Sequence, residues 1–217
     1  MAYVAPTIRS AGDAVTAADY NIMANDVIDH ETRIGDSGLV LVTPTSVSGT
    51  GMSVSGGQIS LSAVTTGTMN GLFTSTYSTY NVVFSLDGST TNQYCYVQFA
   101  TGGTAATTNY IGGFRSWDYS SGATTFNSTG TESSRIAIGN PESGGAGMIA
   151  TVTIDNPAVA RYSNWVGQSS GTASGTSRAS WILGGQHGTA TSYDGLVITQ
   201  SAGNVTGTIR VYGHTKS

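Results

Sequence analysis

Hydrophobic positions follow two different rhythms along the chain. Between Thr16 and Ile34 (TAADYNIMANDVIDHETRI) they recur every three or four residues. From Gly71 onward they alternate singly with Ser, Thr and Gly or gather in short apolar runs. The first rhythm predicts a helix. Thr16 can cap it, with Asp19 as a shortened capping-box partner, Val15 and Tyr20 as a hydrophobic staple, and Gly35 as the stop. At about 1.5 Å per residue it would be roughly 28 Å long. Tyr20, Met23, Val27 and Ile34, with His30 filling the gap, form an apolar edge opposite Asn25, Asp26, Asp29, Glu31 and Arg33. That edge needs a partner: the protein's own sheets, or sister copies of the helix in a bundle of three. Ahead of it, residues 1–15 read as an extended arm, because Pro6 and Gly12 oppose a helix.

Residues 39–70 are thin in bulk. Leu39–Val42 is a strand candidate broken by Pro44. Val47, Met52, Val54, Ile59 and Leu61 alternate with Ser and Gly on either side of Ser55-Gly56-Gly57. The stretch reads as a glycine-rich β connector. Residues 71–217 carry nine strand-like runs: Asn81–Leu86, Gln93–Phe99, Tyr110–Trp117, Arg135–Ile138, Met148–Ile154, Ala160–Trp165, Ala179–Leu183, Leu196–Thr199 and Thr208–Tyr212. Turn signals such as Asp87-Gly88, Gly102-Gly103 and Gly203-Asn204 separate them. The expected fold is mainly β: a short N-terminal arm and α-helix (1–38), the connector (39–70), then an antiparallel, jelly-roll-like β-sandwich (71–217).

Composition narrows the functions open to such a chain. Of 217 residues, 30 are glycine and only 9% are charged, against about a quarter in ordinary domains. A surface this poor in charge suits a protein whose neighbours cover it. The net charge of −4 is concentrated before residue 37, where Asp13, Asp19, Asp26, Asp29, Glu31 and Asp36 outnumber Arg9 and Arg33. No basic patch exists, which argues against nucleic acid as a partner. The one lysine, Lys216, rules out a Gly-Lys-Ser/Thr phosphate loop. The one cysteine, Cys95, sits in an apolar run and is expected to be a buried small hydrophobe. No run approaches the roughly 18–20 apolar residues of a membrane-spanning helix. The start, MAYVAPTIRSAGD, lacks a charged-then-apolar leader pattern, so a soluble protein made in a cytoplasm is expected.

Candidate chemistry is sparse. His187, Ser192 and Asp194 share one glycine-rich stretch, GGQHGTATSYDG, with no framework to orient them as a triad. A turn with a solvent-facing histidine is expected there. Asp118, Glu132, Glu142 and Asp155 are scattered among turns. The expectation is a protein that is not an enzyme, with no catalytic residues, metal or cofactor. Phe114, Trp117 and Tyr119 lead into the polar tip Ser120-Ser121-Gly122. They are candidates for an aromatic platform that meets a sugar or a partner surface.

Two phrases resemble tailed-bacteriophage virion proteins. Asp13-Ala14-Val15-Thr16-Ala17-Ala18-Asp19-Tyr20-Asn21, continuing to Asn25-Asp26-Val27-Ile28, is similar to the D-x-x-T-A-A-D-x-N-x-x-x-N-D opening of phage tail, fibre and head-surface proteins. Leu72-Phe73-Thr74-Ser75-Thr76-Tyr77-Ser78-Thr79-Tyr80-Asn81-Val82-Val83-Phe84 resembles the phrase that opens β-rich domains of phage fibre and minor structural proteins. Gly207–Gly213 fits their final strand. The resemblance implies a homotrimeric virion component whose N-terminal arm and helix attach or trimerise. The apolar edge read from spacing, Tyr20, Met23, Val27, His30 and Ile34, is the expected interface. The component would contact other virion proteins, either as a surface fibre or minor tail protein that meets a host-surface glycan, or as a capsid decoration protein. The resemblance carries no catalytic residue with it.

Overall fold

The computed structural model describes residues 38–90, 93–119, 121–141, 147–174 and 177–215; the side chains of 125–133, 172–177 and 215 are not described. The helix expected over 16–34, and with it Tyr20, Met23, Val27, His30 and Ile34, lies outside the described residues. Among the described residues the chain is mainly β, with no helix.

Five strands come first: β1 (Leu39–Val42), β2 (Ser46–Ser48), β3 (Met52–Ser55), β4 (Gln58–Val64) and β5 (Thr66–Asn70). Then follow β6 (Tyr77–Gly88), β7 (Cys95–Thr101), β8 (Thr104–Ala105), β9 (Tyr110–Asp118), β10 (Thr124–Ser133) and β11 (Ile136–Gly139). The last five are β12 (Met148–Asp155), β13 (Arg161–Ser174), β14 (Ser177–Thr191), β15 (Gly195–Gln200) and β16 (Val205–Thr215). They form two antiparallel sheets packed as a sandwich. The larger runs β10-β9-β14-β13-β12-β6-β16-β4-β3, with β1 also on β16. The smaller runs β11-β7-β15-β5-β2, with β8 on β7.

Leu39–Ser217 forms one compact unit, and the strands of 39–70 are built into its sheets. β1 and β4 pair with β16, while β5 pairs with β15. Ile59, Leu61, Val64 and Met69 lie in the core. The segment has too little bulk for a core of its own because its strands share the core of the whole.

Alternation explains why these residues form these strands. In β6, Tyr80, Val82, Phe84 and Leu86 point inward between polar or half-buried neighbours. β12 repeats the pattern with Met148, Ala150, Val152 and Ile154. Register lines the inward residues up in rows: Val211, Val82, Val152, Gly167 and Leu183 lie opposite one another across five strands. Cys95, Val97 and Phe99 of β7 and Leu196 and Ile198 of β15 close the core from the other sheet. A second row runs Tyr80, Ile154, Trp165, Gly185, Gly112. The two glycines leave room for the Trp165 indole, whose Cζ2 would stand 2.5 Å from a Cβ on Gly185.

Candidate functional site

Opposite the core, the large sheet turns a second face outward. Its residues follow from the same parity. Trp117, Ser180, Ser170 and Ile149 form one row across β9, β14, β13 and β12, and Arg115, Ile182, Gln168 and Thr151 form the next. With strands about 4.8 Å apart, the first row spans roughly 14 Å. Apart from Arg115, which lies outside it, the two rows border a groove of about 570 Å³ with Tyr119 at the rim.

Tyr119 forms the most open wall at 66% exposure, and its hydroxyl is 2.7 Å from Ser180 Oγ. Its backbone N–H donates to the Arg178 carbonyl at 2.8 Å, which fixes the ring at the end of β9. Trp117 stands beside it, with the Arg115 guanidinium 5.1 Å from the indole centroid. Ile149 and Ile182, 58% and 53% exposed, supply an apolar floor and far wall. Between them Gln168 and Ser170 are exposed and Thr151 is half-buried, so an amide and two hydroxyls are turned toward the opening. Among the described residues, no Asp, Glu, Lys, Arg or His lines the groove.

Of the three aromatics expected to form a platform, Trp117 and Tyr119 belong to the groove and Phe114 does not. Residues 114 and 117 are an odd number of positions apart on one strand, so their side chains leave opposite faces. Phe114 packs against the core and borders a small interior gap with Tyr94, Gly139 and Trp181.

A second cluster lies inside the sandwich, and it overturns the expectation for His187. That residue is in β14, 2% exposed, and not in a turn. Its ring meets Tyr110, Tyr193 and Phe99 edge-on, at centroid distances of 4.6, 5.2 and 5.7 Å. The Tyr193 hydroxyl lies 2.9 Å from His187 Nδ1. Burial lowers the His187 pKa below its ordinary value and raises that of Tyr193. Burial also raises the Tyr110 pKa, although its hydroxyl accepts from the Phe99 N–H at 2.7 Å and donates to the Ala106 carbonyl at 3.1 Å.

The residues that shared a stretch with His187 serve elsewhere. The Ser192 hydroxyl donates to the Ala158 carbonyl at 2.8 Å, and the Asp194 carboxylate accepts the Gly102 N–H. The three therefore do not assemble into a nucleophile–base–acid relay. Cys95 is buried, as its apolar run implied. Desolvation pushes its thiol up to about 12, and the Gln200 amide donates to the sulfur at 3.2 Å. Such a thiol stays protonated and unreactive. Among the described residues, no group of three or more His, Cys, Asp or Glu is gathered closely enough to hold a metal ion. Nor is any helix there long and apolar enough to cross a membrane.

Sequence reading found the groove's aromatic wall and missed Thr151, Gln168 and Ser170. Nothing in an alternating Ser/Thr/Gln strand marks which of its polar residues will stand beside an aromatic from another strand.

No family model matches the chain, and no curated protein matches it. Among solved structures, the SPRY domain of human HERC1 aligns at 9% identity over 78% of this chain and 98% of that one, with a TM-score of 0.26.

Proposed function

We propose that this protein is a structural component of a tailed-bacteriophage virion: a homotrimeric surface fibre or minor tail protein that displays its β-sandwich and meets the host surface through the Trp117–Tyr119 groove. The observation that carries the reading is that groove. An aromatic wall and exposed isoleucines share one outward sheet face, in a chain where only 9% of residues are charged. Apolar side chains left in the open at a concave site are what a binding surface requires. The resemblance of residues 13–28 to virion proteins supports the attachment half of the reading.

In this account residues 1–38 attach or trimerise and the sandwich projects. The test is adsorption of phage particles to host cells with wild-type protein and with Trp117→Ala. The reading expects adsorption to fall with the variant while particle yield is unchanged. A drop in yield with normal adsorption favours a capsid-decoration role instead. Unchanged yield and unchanged adsorption contradict the groove's part in host contact.

A further inference from the structure

The groove's lining restricts what it can hold. Its aromatic wall, Trp117 and Tyr119, faces a row of side chains that can both donate and accept hydrogen bonds. Thr151 and Gln168 lie directly opposite each other on β12 and β13, and Ser170 follows two residues along the same face. Ser180 is already engaged by the Tyr119 hydroxyl. The remaining amide and hydroxyls are exposed or half-buried beside Ile149 and Ile182.

A purely apolar partner surface would cover those polar groups without satisfying them, at a cost of about 1–3 kcal/mol for each one left unpaired. A charged ligand fares no better, because no lining residue is ionised near neutral pH and the ligand's charge would lose water without gaining a counter-charge. The Arg115 guanidinium is turned to the Trp117 ring and is not part of the lining.

One ligand class matches all three features. A pyranose ring has an apolar C–H face that stacks on an indole or phenol. It has a rim of hydroxyls that exchange hydrogen bonds with amides and alcohols, and in its neutral forms it has no charge. We infer that the Trp117–Tyr119 groove binds an uncharged saccharide, with the aromatic wall taking the sugar face and Thr151, Gln168 and Ser170 reading its hydroxyls. The inference rests on the host-contact reading and names the chemistry of that contact.

The experiment applies the intact protein to a printed array of neutral and acidic glycans, then measures the bound glycans by calorimetry. Wild type is expected to bind neutral glycans saturably. Trp117→Ala and Gln168→Ala should each weaken that binding tenfold or more, about 1.4 kcal/mol, at an unchanged urea midpoint. Gln168→Ala guards against a folding defect in the tryptophan variant, since an exposed strand position tolerates Ala. The inference is overturned if no neutral glycan binds above the Trp117→Ala background, if acidic glycans bind more tightly than their neutral counterparts, or if both variants bind like wild type. A blank array together with a Trp117-dependent adsorption defect defeats the saccharide inference alone. Loss of both removes the host-contact reading as well.

Discussion

Tyr193 Oη and His187 Nδ1 stand 2.9 Å apart where the two sheets meet. His187 belongs to the large sheet and Tyr193 to the segment entering β15 of the small one, with Phe99 of β7 stacked 5.0 Å from the Tyr193 ring. The pair ties the layers together through a neutral hydrogen bond inside a ring cage. The titratable neighbours facing the imidazole are Tyr110 and Tyr193, both uncharged near neutral pH.

A pH dependence follows. The folded His187 pKa lies below its unfolded value of about 6.5. The fold therefore disfavours the protonated ring, and the contribution is fully present above about pH 6.5 and is lost as pH falls toward the folded pKa. Urea midpoints at about pH 7.5 and about pH 5.5 should show a larger acid loss for wild type than for His187→Gln, a window in which most carboxylates stay ionised. Equal losses in the two proteins would mean that this histidine does not govern the acid response.

Trp165 depends on the glycine across from it. Gly185→Ala puts a methyl 2.5 Å from the indole Cζ2 and 2.4 Å from the Ile111 carbonyl, so a rigid neighbour has to move. The expected cost is about 1–3 kcal/mol, read from chemical denaturation. Gly184→Ala next door, whose Cβ would meet only the Trp165 carbonyl at 3.5 Å, should fall within about 0.5 kcal/mol of wild type. If the two variants unfold at the same urea concentration, the indole is not confined by Gly185.

The Tyr110 hydroxyl serves two backbone groups at once. Tyr110→Phe keeps the ring stacked on Phe99, whose centroid is 6.0 Å away, but strands the buried Phe99 N–H. A loss of about 1–3 kcal/mol is expected in equilibrium unfolding. A neutral outcome would show that a water or a shifted strand can replace the bond.

For assembly, the proposed seam at Tyr20, Met23, Val27, His30 and Ile34 makes Val27→Asp the informative change. Wild type should scatter light as three chains per particle, and the variant as one, with its β circular dichroism spectrum intact. Collapse of the β spectrum would instead mean that this segment packs into the sandwich core.

Much of the sandwich was legible from alternation, because burial on one face writes itself into every second residue. All nine strand-like runs overlap observed strands. The failures share a cause: a strand's partner is not written in its own sequence. Gly184–Thr191 reads as part of a turn, yet it belongs to a strand of 15 residues, and the run expected to end at Trp165 continues in a strand of 14. Gly185 is there because Trp165 on the neighbouring strand fills its space. β10 has one bulky apolar residue, Phe126, and showed no periodicity. β1 was read as part of a connector, yet it pairs with β16 at the opposite end of the chain. Of the groove, Trp117 and Tyr119 were found by their aromatic character, and strand parity would have separated Phe114 from them.

The proposed virion role, with the sandwich held outward, is tested most directly by the chain's position in density maps of tailed-phage particles. Three copies are expected together at the tail or on a surface fibre, with the Trp117 face of the large sheet directed away from the particle. Particles that lack the protein, or that bury the Trp117 face against the shell, would contradict it.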